Sequence, residues 1–393
     1  MSTKVVVAGV GMIPFTKPGA SEAYHVMGAQ AARLALADAG VDYARVQQAY
    51  VGFVYGDSTS GQAALYPVGM TGIPVINVNN NCSTGSTALF LARQAVASGA
   101  ADCVLALGFE QMTPGALAAV FHDRPSPFAN FEAIADATLQ DNRTAPTALR
   151  LFGGAGYEHQ QKYGTRTETF AKVRAKASLH AVHNEKAIFR SPLTVEDVMA
   201  SPQVFLNLTR LQCCPPTCGA AAAVLCSPAF AARHGLNADV VIVGQAMTTD
   251  APASFDGSMI RLVGFELTRA AAQAVYEDAG LGPQDVDVCE LHDCFATNEL
   301  ITYEGLDLCP EGEGEAFVWD GDNTYGGAVV TNPSGGLLSK GHPLGATGLS
   351  QCAELVWQLR GQAGPRQVEG ARIGLQHNLG LGGACVVTAY ARG

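Results

Sequence analysis

The sequence predicts an α/β protein built from two similar halves, on three observations. Residues 31–41, AARLALADAGV, resemble 271–281, AAQAVYEDAGL. Both place apolar residues at helical spacing and end at Asp-Ala-Gly, where Gly40 and Gly280 suit a helix C-cap. Residues 82–89, CSTGSTAL, resemble 342–349, HPLGATGL, with Gly85 against Gly345 and Thr87 against Thr347. The two blocks recur in the same order, and strand-like runs alternate with helical ones around them, which argues for layers of sheet and helix.

The elements follow in order. The opening run, MSTKVVVAGVGMIPF, reads as a short strand and a turn, without the segment order of a signal peptide. A helix spans 31–41 and a strand 49–53. At 76–81, INVNNN, a strand end turns polar, and the segment from Cys82 opens a helix that runs through Ala97. A buried strand, 103–107, comes next. Residues 113–210 then interrupt the repeat with many turn formers and with Arg143, Arg150, Lys162, Arg166, Lys172, Arg174, Lys176, Lys186 and Arg190. We read this segment as an inserted domain covering an active site, with most of its charges on a solvated helical face. The first half is then 1–112 with 211–235, and the second is 236–393. In the second half a helix over 271–281 precedes a strand at 286–291, a helix runs through Leu359, and a strand covers 372–375.

Cys82 stands just before a helix. A free thiol is mostly protonated at neutral pH, and a helix N-terminus is expected to lower its pKa and to hold an oxyanion on a substrate carbonyl. The turn alone is equally compatible with a buried structural cysteine. In NPSGGLLSKGHPLGATG, His342 is held between Gly341 and Pro343, where its imidazole can accept the Cys82 proton. A capping or core histidine is the blander alternative. The repeat sets His342 against Cys82, so a pseudo-twofold axis would bring the two helix starts together. In ELHDCFATNEL, at the C-terminal end of a strand, Cys294 can serve as a second thiol for acid–base work and His292 can orient a carbonyl or water. Cys213, Cys214 and Cys218 match no zinc spacing and read as packing cysteines, so no metal site is expected. The run from His377 to Gly383 reads as a Gly-rich turn after a strand. It lacks the dinucleotide-loop spacing, and Gly382 would let a backbone N–H face a substrate oxygen.

Composition sets limits. Charged residues are 15% of the chain, below the roughly 25% usual for globular proteins, so part of the surface is expected to face another subunit. The net charge is −11 and no basic stripe occurs, which excludes nucleic acid as an expected partner. No run approaches the roughly 20 apolar residues of a membrane span. Eleven cysteines without framework spacing fit a reducing compartment. With no Ser-Lys-Leu ending, the expected location is the cytoplasm.

The blocks NNNCSTGSTALF, ELHDCFATNEL, NPSGGLLSKGHPLGATG and LQHNLGLGG resemble the thiolase superfamily over the whole chain, and more narrowly the thiolase portion of the sterol carrier protein thiolases. The resemblance implies a five-layer αβαβα thiolase fold, with two similar halves and an inserted loop domain, and a homodimer. It implies CoA-dependent cleavage of 3-oxoacyl-CoA, with coenzyme A as co-substrate and no permanently bound cofactor. Carried over by motif, Cys82 is the nucleophile, His342 activates it and Cys294 is the acid/base. His292 and the Cys82 and Gly382 N–H groups assist at the oxyanion sites, and His377 belongs to the same neighbourhood. One departure matters. Where ordinary thiolases carry a Cys-x-Gly motif, this chain reads Gly380-Leu381-Gly382, so the acid–base task falls to Cys294, and Cys385 is not its equivalent. The chain stops at Gly393, so no lipid-transfer activity is expected of it. A partner-dependent lyase or acyltransferase and a non-catalytic acyl-CoA or lipid binder are the competing activities. Retention of Cys82, His342 and Cys294 together favours thiolysis.

Overall fold

The computed structural model describes residues 4–114, 121–139 and 145–393. Arg143 and the first three residues of the opening run lie outside them. The first half runs β1 (Val5–Met12), α1 (Tyr24–Ala39), β2 (Gln48–Gly52), α2 (Ser60–Leu65), β3 (Val75–Val78), α3 (Thr84–Ala97) and β4 (Cys103–Glu110). Then come α4 (Ala129–Leu139), α5 (Thr147–Tyr163), α6 (Thr167–His180), α7 (Val195–Met199) and a hairpin of β5 (Gln203–Phe205) and β6 (Leu208–Thr209). β7 (Gly219–Cys226) and α8 (Pro228–His234) return to the first half. The second half runs β8 (Val240–Thr248), α9 (Met259–Leu262), α10 (Phe265–Ala279), β9 (Val288–Glu290), α11 (Ala296–Gly305), α12 (Gly314–Trp319) and β10 (Val330–Thr331). It ends with α13 (Gly336–Ser339), α14 (Thr347–Leu359), β11 (Ile373–Gly380) and β12 (Ala384–Arg392).

Ten strands form one sheet in the order β10-β9-β11-β12-β8-β1-β7-β4-β2-β3. Read outward from its centre the order is the same on both sides: β1, β7, β4, β2, β3 and β8, β12, β11, β9, β10. The pairings match as well. β4–β7 and β11–β12 are antiparallel, whereas β2–β4, β2–β3, β9–β11 and β9–β10 are parallel. The halves join through a short antiparallel contact, Val5 opposite Ile242 and Val6 opposite Val241.

The layers follow from the alternation of side chains along each strand. Val6 and Ala8 of β1 face a core roofed by α1, while Val5 and Val7 face the core around α3 and α14. In the second half Val387 and Ala389 face α10, while Val240, Ile242 and Tyr390 turn toward α3 and α14. The result is the expected five-layer αβαβα arrangement, with α3 and α14 in the middle. Their starts meet at glycines. A Cβ on Gly108 would lie 2.1 Å from the Gly345 carbonyl oxygen, and one on Gly85 would lie 2.8 Å from it. The repeated Asp-Ala-Gly blocks also match. Gly40 and Gly280 both cap their helices at φ 67, and the aspartates meet arginines of the middle layer in crossed fashion. Arg360, after α14, reaches Asp38 at 2.8 Å, and Arg93 of α3 stands 3.6 Å from Asp278.

Three expectations need correction. α3 begins two residues after Cys82 but α14 begins five after His342, so equal spacing in the sequence is not equal placement before the helix. β11 does not end at Leu375: its ladder with β12 continues to Gly380 opposite Ala384, so His377 and Asn378 lie in a strand. The turn is narrower, at 381–383, where Gly382 and Gly383 have φ 97 and 91. Finally, the charges read as mostly solvated divide: Lys162, Arg166 and Arg190 are exposed and Lys172 and Lys186 half-buried, but Arg150, Arg174 and Lys176 are buried. Each of these last three has a polar partner that offsets its desolvation: Asp136, Ser339 Oγ at 2.6 Å and Glu299 respectively.

Candidate active site

Between β3 and α3 the chain reverses at Asn81, a non-glycine residue at φ 50. Asparagine is one of the few non-glycine residues that tolerate this left-handed conformation, and the turn sets Cys82 just before the Ser83 cap. Cys82 is half-buried, with Sγ 3.7 Å from Asn81 Oδ1. The helix start does not make it acidic. Burial pushes the Cys82 thiol up to about 12, with the Glu110 charge adding to this and main-chain hydrogen bonds at Cys82 and Leu381 opposing it. Desolvation of a thiolate thus acts against the lowering expected of the helix start. As a nucleophile, Cys82 would start as a thiol and would need a base.

His342 has the form of that base. Burial pushes its imidazole down to about 3, so it is neutral at physiological pH. Thr347 Oγ1 donates its one hydrogen to the Pro343 carbonyl at 2.9 Å and lies 2.7 Å from His342 Nδ1. With the hydroxyl hydrogen on that carbonyl, the tautomer that fits is the one with a hydrogen on Nδ1, donated to Oγ1. Nε2 is left as a buried lone pair without a hydrogen-bond partner. The His342 backbone N–H is anchored on Thr217 Oγ1 at 3.0 Å.

His292 lies edge-on to His342, with ring centroids 5.0 Å apart and an interplanar angle of 82°. Burial, with His342 and His377 nearby, keeps it neutral as well. Its Nδ1 is 3.0 Å from Asn378 Nδ2. Cys82 Sγ and one ring nitrogen of each of these two histidines all lie within 4.8 Å of one another. Among the described residues this is the one set of at least three Cys, His, Asp or Glu groups close enough to share a cation. Cys213, Cys214 and Cys218 form no such set.

The other candidates fall around this cluster. Cys294 is buried, and its thiol is raised first by burial and then by Cys214 and Cys82. Cys214 was not singled out as functional in the sequence, yet its thiol is raised by burial and by Cys82 in turn, and its N–H donates to the Cys294 carbonyl at 2.9 Å. Both ring nitrogens of His377 have partners inside the protein. Nδ1 accepts from the His292 N–H at 3.4 Å, and Nε2 lies 3.0 Å from Thr268 Oγ1. Gly382 lines a cavity of about 300 Å³ with Val54, Tyr55, Asn81, Phe128 and Leu381.

Buried carboxylates hold these loops in place; the sequence reading gave them no role, although Glu290 and Asp293 lie within ELHDCFATNEL. Glu110 accepts the N–H groups of Tyr55, Val54 and Gly345 at 2.9, 3.1 and 3.0 Å. Asp293 accepts those of Leu337 and Leu338, which ties the His292–Cys294 turn to the segment leading to His342. Glu290 pairs with the buried Lys340 at 3.1 Å.

This fold is that of a thiolase. Family models match the chain over residues 5–228 (thiolase, N-terminal domain) and 255–390 (thiolase C-terminal domain-like), and the chain belongs to that family of acyltransferases acting on CoA esters. It is 56% identical to human sterol carrier protein 2, over 99% of this chain and 72% of that protein. It is 38% identical to an acetyl-CoA acetyltransferase of Methanothermobacter thermautotrophicus, over 91% of this chain and 92% of that one. Among solved structures it resembles the Ltp2–ChsH2(DUF35) aldolase (TM-score 0.84, 23% identity, 100% and 98% of the two chains). It also resembles human mitochondrial 3-ketoacyl-CoA thiolase in complex with CoA (TM-score 0.75, 19% identity, 100% and 98%). No helix among the described residues is long and apolar enough to cross a membrane.

Proposed function

We propose that this chain is a 3-oxoacyl-CoA thiolase working in fatty-acid or sterol side-chain degradation. The observation that carries the reading is the pair of neutral imidazoles around Cys82, His342 offering a lone pair and His292 an N–H. His342 Nε2 takes the thiol proton as sulfur attacks the C3 carbonyl. The new oxyanion is held by the His292 Nε2–H, and the Cys82 and Gly382 N–H groups assist with the substrate oxygens. The C2–C3 bond breaks, its electron pair leaves on the acetyl-CoA or propionyl-CoA enolate, and Cys294 supplies the proton to C2. Free coenzyme A then gives its thiol proton to the Cys294 thiolate and takes the acyl group from Cys82, whose sulfur recovers its proton from His342. His377 braces His292, and the described part of residues 113–210 forms the domain covering the site, with Phe128 beside Gly382; residues 115–120 and 140–144 of that segment lie outside the described residues. The exposed Ile76 on the edge strand β3, with exposed Tyr66 and Met70 nearby in the chain, supports a homodimer through this edge. A cytoplasmic location goes with this reading and is checked by cell fractionation.

The test is CoA-dependent cleavage of medium-chain, long-chain and branched 3-oxoacyl-CoA by wild type, Cys82→Ala and Cys294→Ala. Multiple turnovers to acetyl-CoA or propionyl-CoA should occur with wild type alone, whereas Cys294→Ala should become acylated on Cys82 slowly and release no more than one equivalent of that product. Wild-type turnover by Cys294→Ala would remove that residue from the acid–base role. A second reading, a partner-dependent lyase, is favoured by the similarity to the Ltp2–ChsH2(DUF35) aldolase. It requires carbon–carbon cleavage without acyl transfer to CoA, and only together with a partner subunit.

A further inference from the structure

The two imidazoles beside Cys82 are chemically identical side chains with opposite assignments, and the hydrogen-bond chain behind His292 can be followed to a fixed origin. The Gly348 carbonyl is an acceptor only. Gln376 Nε2 lies 2.7 Å from it, so that atom is the amide nitrogen, and Oε1 accepts from Tyr390 at 2.5 Å. The same Nε2 donates to Ser86 Oγ at 2.7 Å. Ser86 passes its own hydrogen to Asn378 Oδ1 at 2.9 Å. The Asn378 amide is thereby oriented with Nδ2 toward His292 Nδ1, 3.0 Å away. An NH2 group can only donate there, so Nδ1 is bare and Nε2 carries the hydrogen. Every member of the chain is buried.

We propose that Asn378 is a positioning residue that fixes the tautomer of His292, and so makes the Cys82–His292–His342 cluster a hydrogen-bonding site rather than a metal site. The geometry would otherwise suit a soft cation. A thiol and two ring nitrogens within 4.8 Å, with His342 Nε2 buried and unpartnered, form three-quarters of a tetrahedral ligand set. A ligating imidazole needs a bare nitrogen facing the metal and an acceptor behind its other N–H. Asn378 supplies a donor behind Nδ1 instead. The inference rests on the proposed function only for its meaning in catalysis.

Asn378→Asp reverses the polarity. A carboxylate accepts from Nδ1–H, Nε2 becomes a lone pair, and Cys82 can release its proton to solvent and bond a divalent cation beside both imidazoles. Titration with Co²⁺ should show at least tenfold tighter binding by Asn378→Asp than by wild type, with a thiolate-to-cobalt absorption band that the added Cys82→Ala change removes. Folded Asn378→Asp that binds Co²⁺ no better than wild type would overturn the proposal. Wild type provides an independent measurement if that variant does not fold. In ¹⁵N-histidine spectra, with the signal assigned by its loss in His292→Ala, His292 should show a bare Nδ1 and a protonated Nε2. Ser86→Ala, which frees the amide to turn, should mix the tautomers. A wild-type His292 protonated on Nδ1 would overturn the assignment. Neither readout depends on turnover, so the tautomer proposal survives if thiolysis is not found, and thiolysis can be found where the tautomer is wrong.

Discussion

Thr347 Oγ1 lies 2.7 Å from His342 Nδ1, and its own hydrogen is committed to the Pro343 carbonyl. A helix-start threonine thus decides which nitrogen of the catalytic candidate is basic. Thr347→Val keeps the shape and removes the acceptor, leaving a buried N–H unsatisfied at about 1–3 kcal/mol. We expect kcat/KM for 3-oxoacyl-CoA to fall roughly tenfold to a hundredfold with little change in KM. Thr347→Ser should retain most of the activity. Equal kinetics for the valine and serine variants would show that the hydroxyl has no such role.

The pH dependence of Cys82 alkylation follows from two opposite shifts. The thiol is raised to about 12 and the imidazole is lowered to about 3, so both stay neutral between those values. Thiolate is the reactive form, and its fraction grows as pH rises toward the thiol pKa. Iodoacetamide should therefore modify Cys82 slowly at neutral pH and ever faster up to about pH 10. A thiolate–imidazolium pair would instead give a plateau beginning well below neutrality, and such a plateau is the result that would refute this picture.

Gly382 sits at φ 97, and a Cβ there would meet Phe128 Cε1 at 3.4 Å. Gly382→Ala strains the turn by about 1–2 kcal/mol and narrows the cavity shared with Asn81. We expect a small loss of melting temperature together with a larger loss of kcat/KM. Melting and activity that fall in proportion would mean that the glycine serves the turn alone.

Arg360 tests the crossed architecture. Its side chain is 2% exposed, and besides Asp38 it donates to the carbonyls of Val7 and Ala8 at 3.1 and 2.9 Å. Arg360→Met should lower stability by about 3 kcal/mol, the lower end for breaking a buried pair, because Asp38 remains partly exposed. Denaturant unfolding measures this, and a change below about 0.5 kcal/mol, the usual effect of a surface substitution, would contradict it.

The candidate site residues that the structure brings together were legible because they sit in sharply constrained local sequence. Cys82 follows a polar strand end, His342 stands between Gly341 and Pro343, and His292 and Cys294 share one turn. The middle helices end at Ala97 and Leu359 as their periodicity predicts. The supporting residues were not legible. Thr217 and His342 are 125 residues apart, and Ser86 and Gln376 are 290 apart. A threonine in a loop, a serine in a helix or a glutamine in a strand carries no local mark of such a partner. The inward turn of Lys176 was hidden for the same reason, since Glu299 lies 123 residues further on.

The sequence by itself determined the two-half α/β plan and the set of nucleophile, base and acid candidates, because periodicity, capping and turn chemistry act over a few neighbouring residues. Only the tertiary structure decided the protonation of that set. Thr347 and Asn378 give His342 and His292 opposite tautomers, and burial keeps Cys82 a thiol against the pull of its helix. Desolvation and tautomer depend on every atom that surrounds a group, and those atoms come from both halves of the chain.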